Sequence, residues 1–194
     1  MARRVILVTG TPCVGKTSVA RLLSSKLDAF YVNLAELAVN ANLISGRDKE
    51  RNSAIVDENA MRRKIREIIG SCNKDIIIDG HYAASVVPQK NVTCVFVLRR
   101  DPMELRKLME KNGFSGRKLW ENLASEILDV CLVEALNLHG KEKVCELDAS
   151  GKSVEEVVRE ILNILEGRRK CRMGLVDWLG MLEKKGLLEE FLKI

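Results

Sequence analysis

The sequence predicts an α/β protein: a five-stranded parallel sheet flanked by helices, with a P-loop following its first strand. Three observations point there. Val5-Ile6-Leu7-Val8 is a continuous apolar, largely β-branched run, as expected of a strand covered on both faces. Gly10-Thr11-Pro12-Cys13-Val14-Gly15-Lys16-Thr17-Ser18 follows it directly and fits G-x-x-x-x-G-K-[ST]. Beyond the loop, Val19, Leu22, Leu23 and Leu27 recur at helical spacing, and strand and helix patterns then alternate along most of the chain.

Each further element has its own signal. Phe30-Tyr31-Val32 reads as a short second strand, and Asn33-Leu34-Ala35-Glu36 as a capping box opening a short helix. Residues 45–51 (SGRDKER) read as a polar, mobile connection. Asp57 caps a helix whose buried face is Ala60, Met61, Ile65, Ile68 and Ile69, with Gly70 past its end. Asp75-Ile76-Ile77-Ile78-Asp79 is the third strand and 92–98 the fourth. Asp101-Pro102 opens a helix running towards Gly113. A helix from about Arg117 to Gly140 carries Leu119, Leu123, Ile127 and Cys131 inward. Val144-Cys145-Glu146-Leu147 is the fifth strand, and Ser153 with Glu156 caps a helix ending at Gly167.

After Gly167 the composition changes. A basic run, 168–172, precedes a helical hairpin expected from Leu175 to Ile194 and broken at Gly186, with Trp178, Leu179, Leu182, Leu187, Leu188 and Phe191 in apolar stripes. This extension either packs back on the domain or presents a docking surface. Residues 1–167 thus read as one domain and 168–194 as an appendage, since 194 residues leave no room for two large cores.

Composition narrows the function. The net charge of +5 suits an anionic ligand but does not by itself argue for nucleic acid. Aromatics are only 4% of residues, too few for a stacking platform, so no direct sequence-specific nucleic-acid binding is expected. Two histidines exclude a His-rich metal site. The six cysteines are scattered without C-x-x-C spacing, which favours buried thiols in a reducing compartment over disulfides or zinc. Met1-Ala2-Arg3-Arg4 leads straight into the first strand and no apolar run approaches a membrane span, so a cytoplasmic protein without a membrane partner is expected.

The chemistry centres on the glycine-bearing loop. Backbone N–H groups feeding a helix N-terminus solvate phosphate charge without mobile side chains. Gly10 and Gly15 permit tight turns, Cys13 and Val14 line the loop, Lys16 is expected on the β- and γ-phosphates, Thr17 on Mg²⁺, and Ser18 on the α-phosphate. Cys13, beside a helix N-terminus, is expected to favour its thiolate and to be oxidation-sensitive. Asp79 ends a buried strand, where such enzymes hold Mg²⁺ or its water; a loop-capping aspartate is the alternative. His81 either orients a water or acceptor phosphate or satisfies a local hydrogen bond. Of Arg99, Arg100, Arg117 and Lys118, one or two are expected to close over the γ-phosphate.

Taken together, GTPCVGKTS, IVDEN (55–59), IIIDGH (76–81), FVLRRD (96–101) and GFSGRKLWEN (113–122), in that order, resemble the adenylate kinase isoenzyme 6 family, nucleoside monophosphate kinases and ATPases shared by eukaryotes and archaea. The resemblance spans most of residues 4–167, and the terminal extension is similar to archaeal members. It implies Mg²⁺ with ATP as donor, AMP or another nucleoside monophosphate as acceptor, an acceptor-side region at about 33–57 and a short lid at about 111–121. Asn33, Asp57, Asp79, His81 and Arg99 would serve the monophosphate side; Asn112, Arg117 and Lys152 would join the loop in holding ATP. Where the family has an arginine before the lid glycine, this chain has Asn112, and where some relatives carry an acceptor-side arginine it has Val39. The family also implies a part in maturation of the small ribosomal subunit, with one of its ribosomal proteins and the pre-ribosome as partners.

Overall fold

The computed structural model describes residues 3–48 and 53–192. Five parallel strands form the central sheet: β1 (Val5–Thr9), β2 (Phe30–Asn33), β5 (Ile76–Asp79), β6 (Cys94–Arg99) and β7 (Val144–Asp148), in spatial order β2-β5-β1-β6-β7. The register sets Val8 beside Asp79, Asn33 beside Asp79 and Thr9 beside Val97, so three strand ends open at one edge. That edge is where open α/β sheets hold ligands.

Period-two alternation splits the core between the two faces of the sheet. Ile6, Val8, Ile77, Phe96 and Leu98 pack beneath α1 (Lys16–Leu27), α5 (Pro102–Lys111), α6 (Gly116–Ile127) and α8 (Val154–Leu165). Val5, Leu7, Ile76, Ile78, Val95 and Val97 pack on the other side with α3 (Glu58–Ser71), α4 (Ala83–Val86) and α7 (Val130–His139). Each fully buried aliphatic side chain contributes about 1.5–3 kcal/mol. The expected caps at Asp57, Asp101 and Ser153 are in place. Asn33 accepts from the Glu36 N–H, opening α2 (Leu34–Asn40), while the Glu36 carboxylate turns to Arg21.

Four expectations are corrected. The connection read as mobile is part of an antiparallel hairpin, β3 (Ile44–Asp48) with β4 (Ser53–Val56), joined by backbone pairing that a polar composition does not announce; residues 49–52 lie outside the described chain. The single helix expected from 117 to 140 breaks after Ile127: Leu128 caps α6, and Asp129, in the left-handed region at φ 58°, carries its carboxylate to Arg99. Aspartate accepts that backbone shape better than most residues.

The cysteines are not all free, because Cys145 is disulfide-bonded to Cys171. The basic run lies along edge strand β7, where the Glu146 N–H donates to the Arg172 carbonyl, so two cysteines remote in sequence meet. The helical hairpin also starts later than expected, with α9 (Trp178–Lys184) capped by Asp177 and α10 (Leu188–Phe191) following the turn at Gly186. Trp178, Leu182 and Phe191 are buried in the same cluster as Leu119 and Leu123. Of the two readings of the extension, packing back on the domain describes these residues.

Candidate functional site

The phosphate loop leaves β1 and enters α1 through three left-handed residues: Gly10 (φ 134°), Cys13 (67°) and Gly15 (107°). At Gly10 a Cβ would sit 2.4 Å from the Leu98 carbonyl oxygen, so strand β6 itself demands glycine there. Left-handed residues alternating with ordinary ones turn successive amides inward, the geometry of an anion-binding nest. The Lys16 Nζ donates to the Thr11 carbonyl at 2.8 Å, holding the ammonium across the loop. Burial lowers the Lys16 pKa, opposed by the charges of Cys131, Asp79, Cys13 and Glu126.

A second set of side chains converges beside the loop. Asp79, 1% exposed, accepts from the Tyr31 hydroxyl at 2.7 Å and from Asn33 Nδ2 at 2.9 Å. The same Nδ2 lies 3.5 Å from Thr17 Oγ1. Asn33 therefore ties the strand-end carboxylate to the loop hydroxyl. Thr17 and Asp79 supply hard oxygen donors of the kind magnesium prefers, and two are few enough to leave the remaining positions to phosphate and water. Among the described residues no group of three or more His, Cys, Asp or Glu could hold a metal by itself.

Cys13, Gly15, Lys16, Thr17, Ser18 and Asn112 line one cavity of 280 Å³ over the loop. Asn112, at the C-terminal cap of α5, brings the turn before α6 to this cavity. Val14 is buried behind the loop and its carbonyl accepts from Arg100 Nε at 3.3 Å. Arg100 also pairs with Glu104, whose carboxylate accepts from the Gly151 N–H, linking the phosphate loop to the Ser150-Gly151-Lys152 turn. His81 is solvent-accessible but set down in the cleft; desolvation there, then the charges of Lys16 and Lys118, lower its pKa to about 4. Its ring is neutral at physiological pH.

Other expected site residues face different partners. Arg99, 1% exposed, bonds Glu126, Glu146 and Asp129 behind the sheet edge, away from any acceptor. Arg100, its neighbour on the opposite face of the chain, is the cation that meets the loop. Arg117 is exposed and pairs with Glu121, Lys152 pairs with Glu160, and Asp57 caps α3 through the Ala60 N–H. Cys13 is corrected too: burial raises its pKa and outweighs the lowering effect of Lys16, so the thiol stays protonated.

Sequence reasoning passed over Tyr31, Thr11 and Glu126. Tyr31 figures in the sequence only as part of the strand Phe30-Tyr31-Val32, although it shares a strand face with Asn33 two residues on. Glu126 is 1% exposed and accepts from Arg99 Nε, the Arg100 N–H, Trp178 Nε1 and Thr11 Oγ1. Its signal was present: it follows Leu123 by three and falls on the apolar stripe of α6, where an unpartnered carboxylate would be costly.

Comparison with known proteins accords with this geometry. Residues 6–129 match the family model described as an AAA domain. A protein of Pyrococcus furiosus named "Putative adenylate kinase" is 40% identical over 182 residues, covering 93% of this chain and 94% of that one. Among solved structures, a gluconokinase from Sinorhizobium meliloti superposes with a TM-score of 0.58 at 14% identity, covering 86% of this chain and 95% of its own. A thymidylate kinase from Candida albicans gives 0.55 at 18% identity, with 86% and 92% covered. These two share the P-loop kinase fold with it. By its extent and identity the first match is decisive: the chain belongs to the family of archaeal proteins that carry the name "Putative adenylate kinase".

Proposed function

We propose that this protein is a nucleoside monophosphate kinase, transferring the γ-phosphoryl group of ATP to AMP or another monophosphate in the cytoplasm, with slow hydrolysis when water takes the acceptor's place. One observation carries the reading: Lys16, Thr17 and Asn112 line a single cavity, and Asn33 joins Thr17 to the buried Asp79 beside it. The relatives named for adenylate kinase activity support the choice of substrate class.

Phosphoryl transfer asks for positioning and charge neutralisation rather than covalent help. The loop amides and Lys16 would bind the β- and γ-phosphates, and Arg100 stiffens the loop from below. Thr17 and Asp79 would hold Mg²⁺, which supplies electrostatic stabilisation of the phosphate oxygens when bound. Neutral His81 offers a hydrogen bond at the cleft without adding charge. On the acceptor side the hairpin β3–β4 and α2 would close over the monophosphate, and the 111–121 segment over ATP, excluding water.

Lys16→Ala should lower turnover at least about a hundredfold, the usual effect of losing one donor that stabilises transferring charge. Two ADP formed per ATP consumed in the presence of AMP is the expected stoichiometry. Unchanged turnover in the variant would remove the reading.

A second reading is favoured by one feature away from the cleft. Leu128, Val130, Val133 and Leu138 are each more than 40% exposed and line an apolar groove of 530 Å³ with Ser85, Glu134 and Asn137. A surface of this kind suits a protein partner. On this reading the chain is a nucleotide-switched assembly factor that holds a small-subunit ribosomal protein. ATP consumption that is insensitive to AMP, together with nucleotide-dependent binding of that purified protein, would favour the switch over the kinase.

A further inference from the structure

Behind the phosphate loop runs a continuous line of hydrogen bonds that ends in the C-terminal segment. The Lys16 Nζ donates to the Thr11 carbonyl at 2.8 Å, and the Thr11 hydroxyl donates to Glu126 Oε2 at 2.6 Å. The other oxygen of that carboxylate accepts from the Trp178 indole N–H at 3.1 Å. Thr11, Glu126 and Trp178 are 0%, 1% and 8% exposed, so water does not screen the line or substitute for a missing partner.

The segment that delivers Trp178 is itself fastened at several points. Cys171 is bonded to Cys145 of β7, the Glu146 N–H donates to the Arg172 carbonyl, and the Leu175 N–H donates to Glu146 Oε2 at 2.8 Å. Asp177 then caps α9, whose first residue is Trp178, and Leu182 of that helix is fully buried. The indole is therefore a fixed donor rather than a wandering side chain. Arg99 Nε and the Arg100 N–H occupy the same Oε1, so the carboxylate cannot rotate freely without breaking four bonds, three on Oε1 and one on Oε2.

We infer that Trp178 and Glu126 are positioning residues for ATP binding: the C-terminal strap sets the orientation of the Glu126 carboxylate, which in turn fixes Thr11 and, through its carbonyl, the Lys16 ammonium. The strap then belongs to the working donor site, although it touches no phosphate. The inference rests on the proposed nucleotide-binding reading of the loop.

The test measures Mg·ATP affinity by titration calorimetry for the full chain, for Trp178→Phe, for Thr11→Val and for the double variant. Phenylalanine keeps a six-membered aromatic ring and removes the N–H with the rest of the five-membered ring, so the Tm of each variant is recorded beside its affinity; valine keeps the shape of threonine and removes the hydroxyl. Trp178→Phe should weaken ATP binding about three- to tenfold, the effect of one buried hydrogen bond. Because Trp178 and Thr11 act through one carboxylate, the double variant should lose little more than the worse single one. Unchanged affinity in Trp178→Phe, or losses that simply multiply in the double variant, would overturn the inference. A second readout needs no variant that must fold. The chain has two tryptophans, so its ¹H–¹⁵N spectrum shows two indole signals. The Trp178 signal should move on saturation with Mg·ATP, and a stationary signal counts against the coupling. A parent chain that binds no ATP at all would be a different failure, removing the nucleotide reading together with everything built on it.

Discussion

The proposed donor and acceptor halves of the cleft are braced by the rest of the molecule to different degrees. On the donor side the Leu98 carbonyl abuts Gly10, Arg100 supports the Val14 carbonyl and Glu126 supports Thr11, so the loop is braced by β6 and α6 along its length. On the acceptor side, Val39 is 60% exposed, Ile44 43% and Ile55 49%, and the hairpin β3–β4 makes a two-stranded sheet of its own. A site for highly charged phosphates gains most from dipoles fixed in advance, because they need no reorganisation during reaction. A site that must admit one substrate and then shut out water gains from a part that moves. On the proposed reading, preorganisation falls to residues 10–17 and closure to α2 and the paired strands β3 and β4.

The largest effect should come from disturbing the braced half. Gly10→Ala puts a Cβ against a backbone oxygen that cannot yield, at a φ of 134° that alanine avoids. The cost is roughly 3 kcal/mol or more, combining left-handed strain with a backbone clash. Thermal unfolding should show a Tm lower by on the order of 10 °C, and a variant as stable as the parent would mean that β6 does not brace the loop.

Next in size is the fastening of the strap. Cys145 and Cys171 are 26 residues apart, so their bond closes a loop worth roughly 3 kcal/mol in the chain-entropy account. Cys171→Ser, or reduction of the parent, should lower Tm by several degrees and loosen the donor half, visible as faster amide exchange around Trp178, while hairpin amides exchange as before. Equal loosening of both halves would erase the distinction between them.

The donor half was legible in the sequence because its signals are local. The loop motif, the strand before it and the carboxylate closing Asp75–Asp79 each lie within a few consecutive residues, and strand alternation does the rest of the placing. What went unread depends on contacts between distant residues. Nothing near Arg99 announces that Glu126, Asp129 and Glu146 surround it, so a basic residue at a strand end looks like a substrate ligand, whereas it is the neighbouring Arg100 that reaches the loop, through the Val14 carbonyl. The disulfide was hidden for the same reason: it exists because the 168–177 segment follows edge strand β7, a choice of path that cysteine spacing does not encode. The hairpin escaped because its strands are short, with exposed apolar and polar residues in no clear alternation, and pairing is set by backbone bonds and a shift in register between Ile44 and Gly46.

The smallest effect is expected at that hairpin, and it is the one that most directly tests the division of labour. Ile55 is 49% exposed and its Cδ1 lies 3.6 Å from where a Cβ on Gly46 would stand, so its truncation removes surface contact across two strands and little core. Ile55→Ala should change stability by no more than about 0.5 kcal/mol, as surface substitutions do. Amides of β3 and β4 should exchange far faster than those of β1, β5 and β6, since the hairpin draws on few buried apolar contacts and opens without unfolding the core. If the hairpin is the closing part, adding AMP with a non-hydrolysable ATP analogue should slow exchange at 44–48 and 53–56 severalfold, and Ile55→Ala should raise the KM for AMP while leaving ATP affinity alone. ATP alone should protect the loop and leave the hairpin open. A hairpin as protected as β1 in the free protein would place closure elsewhere in the chain, and Asn112, which lines the cavity over the phosphate loop, is the next place to look.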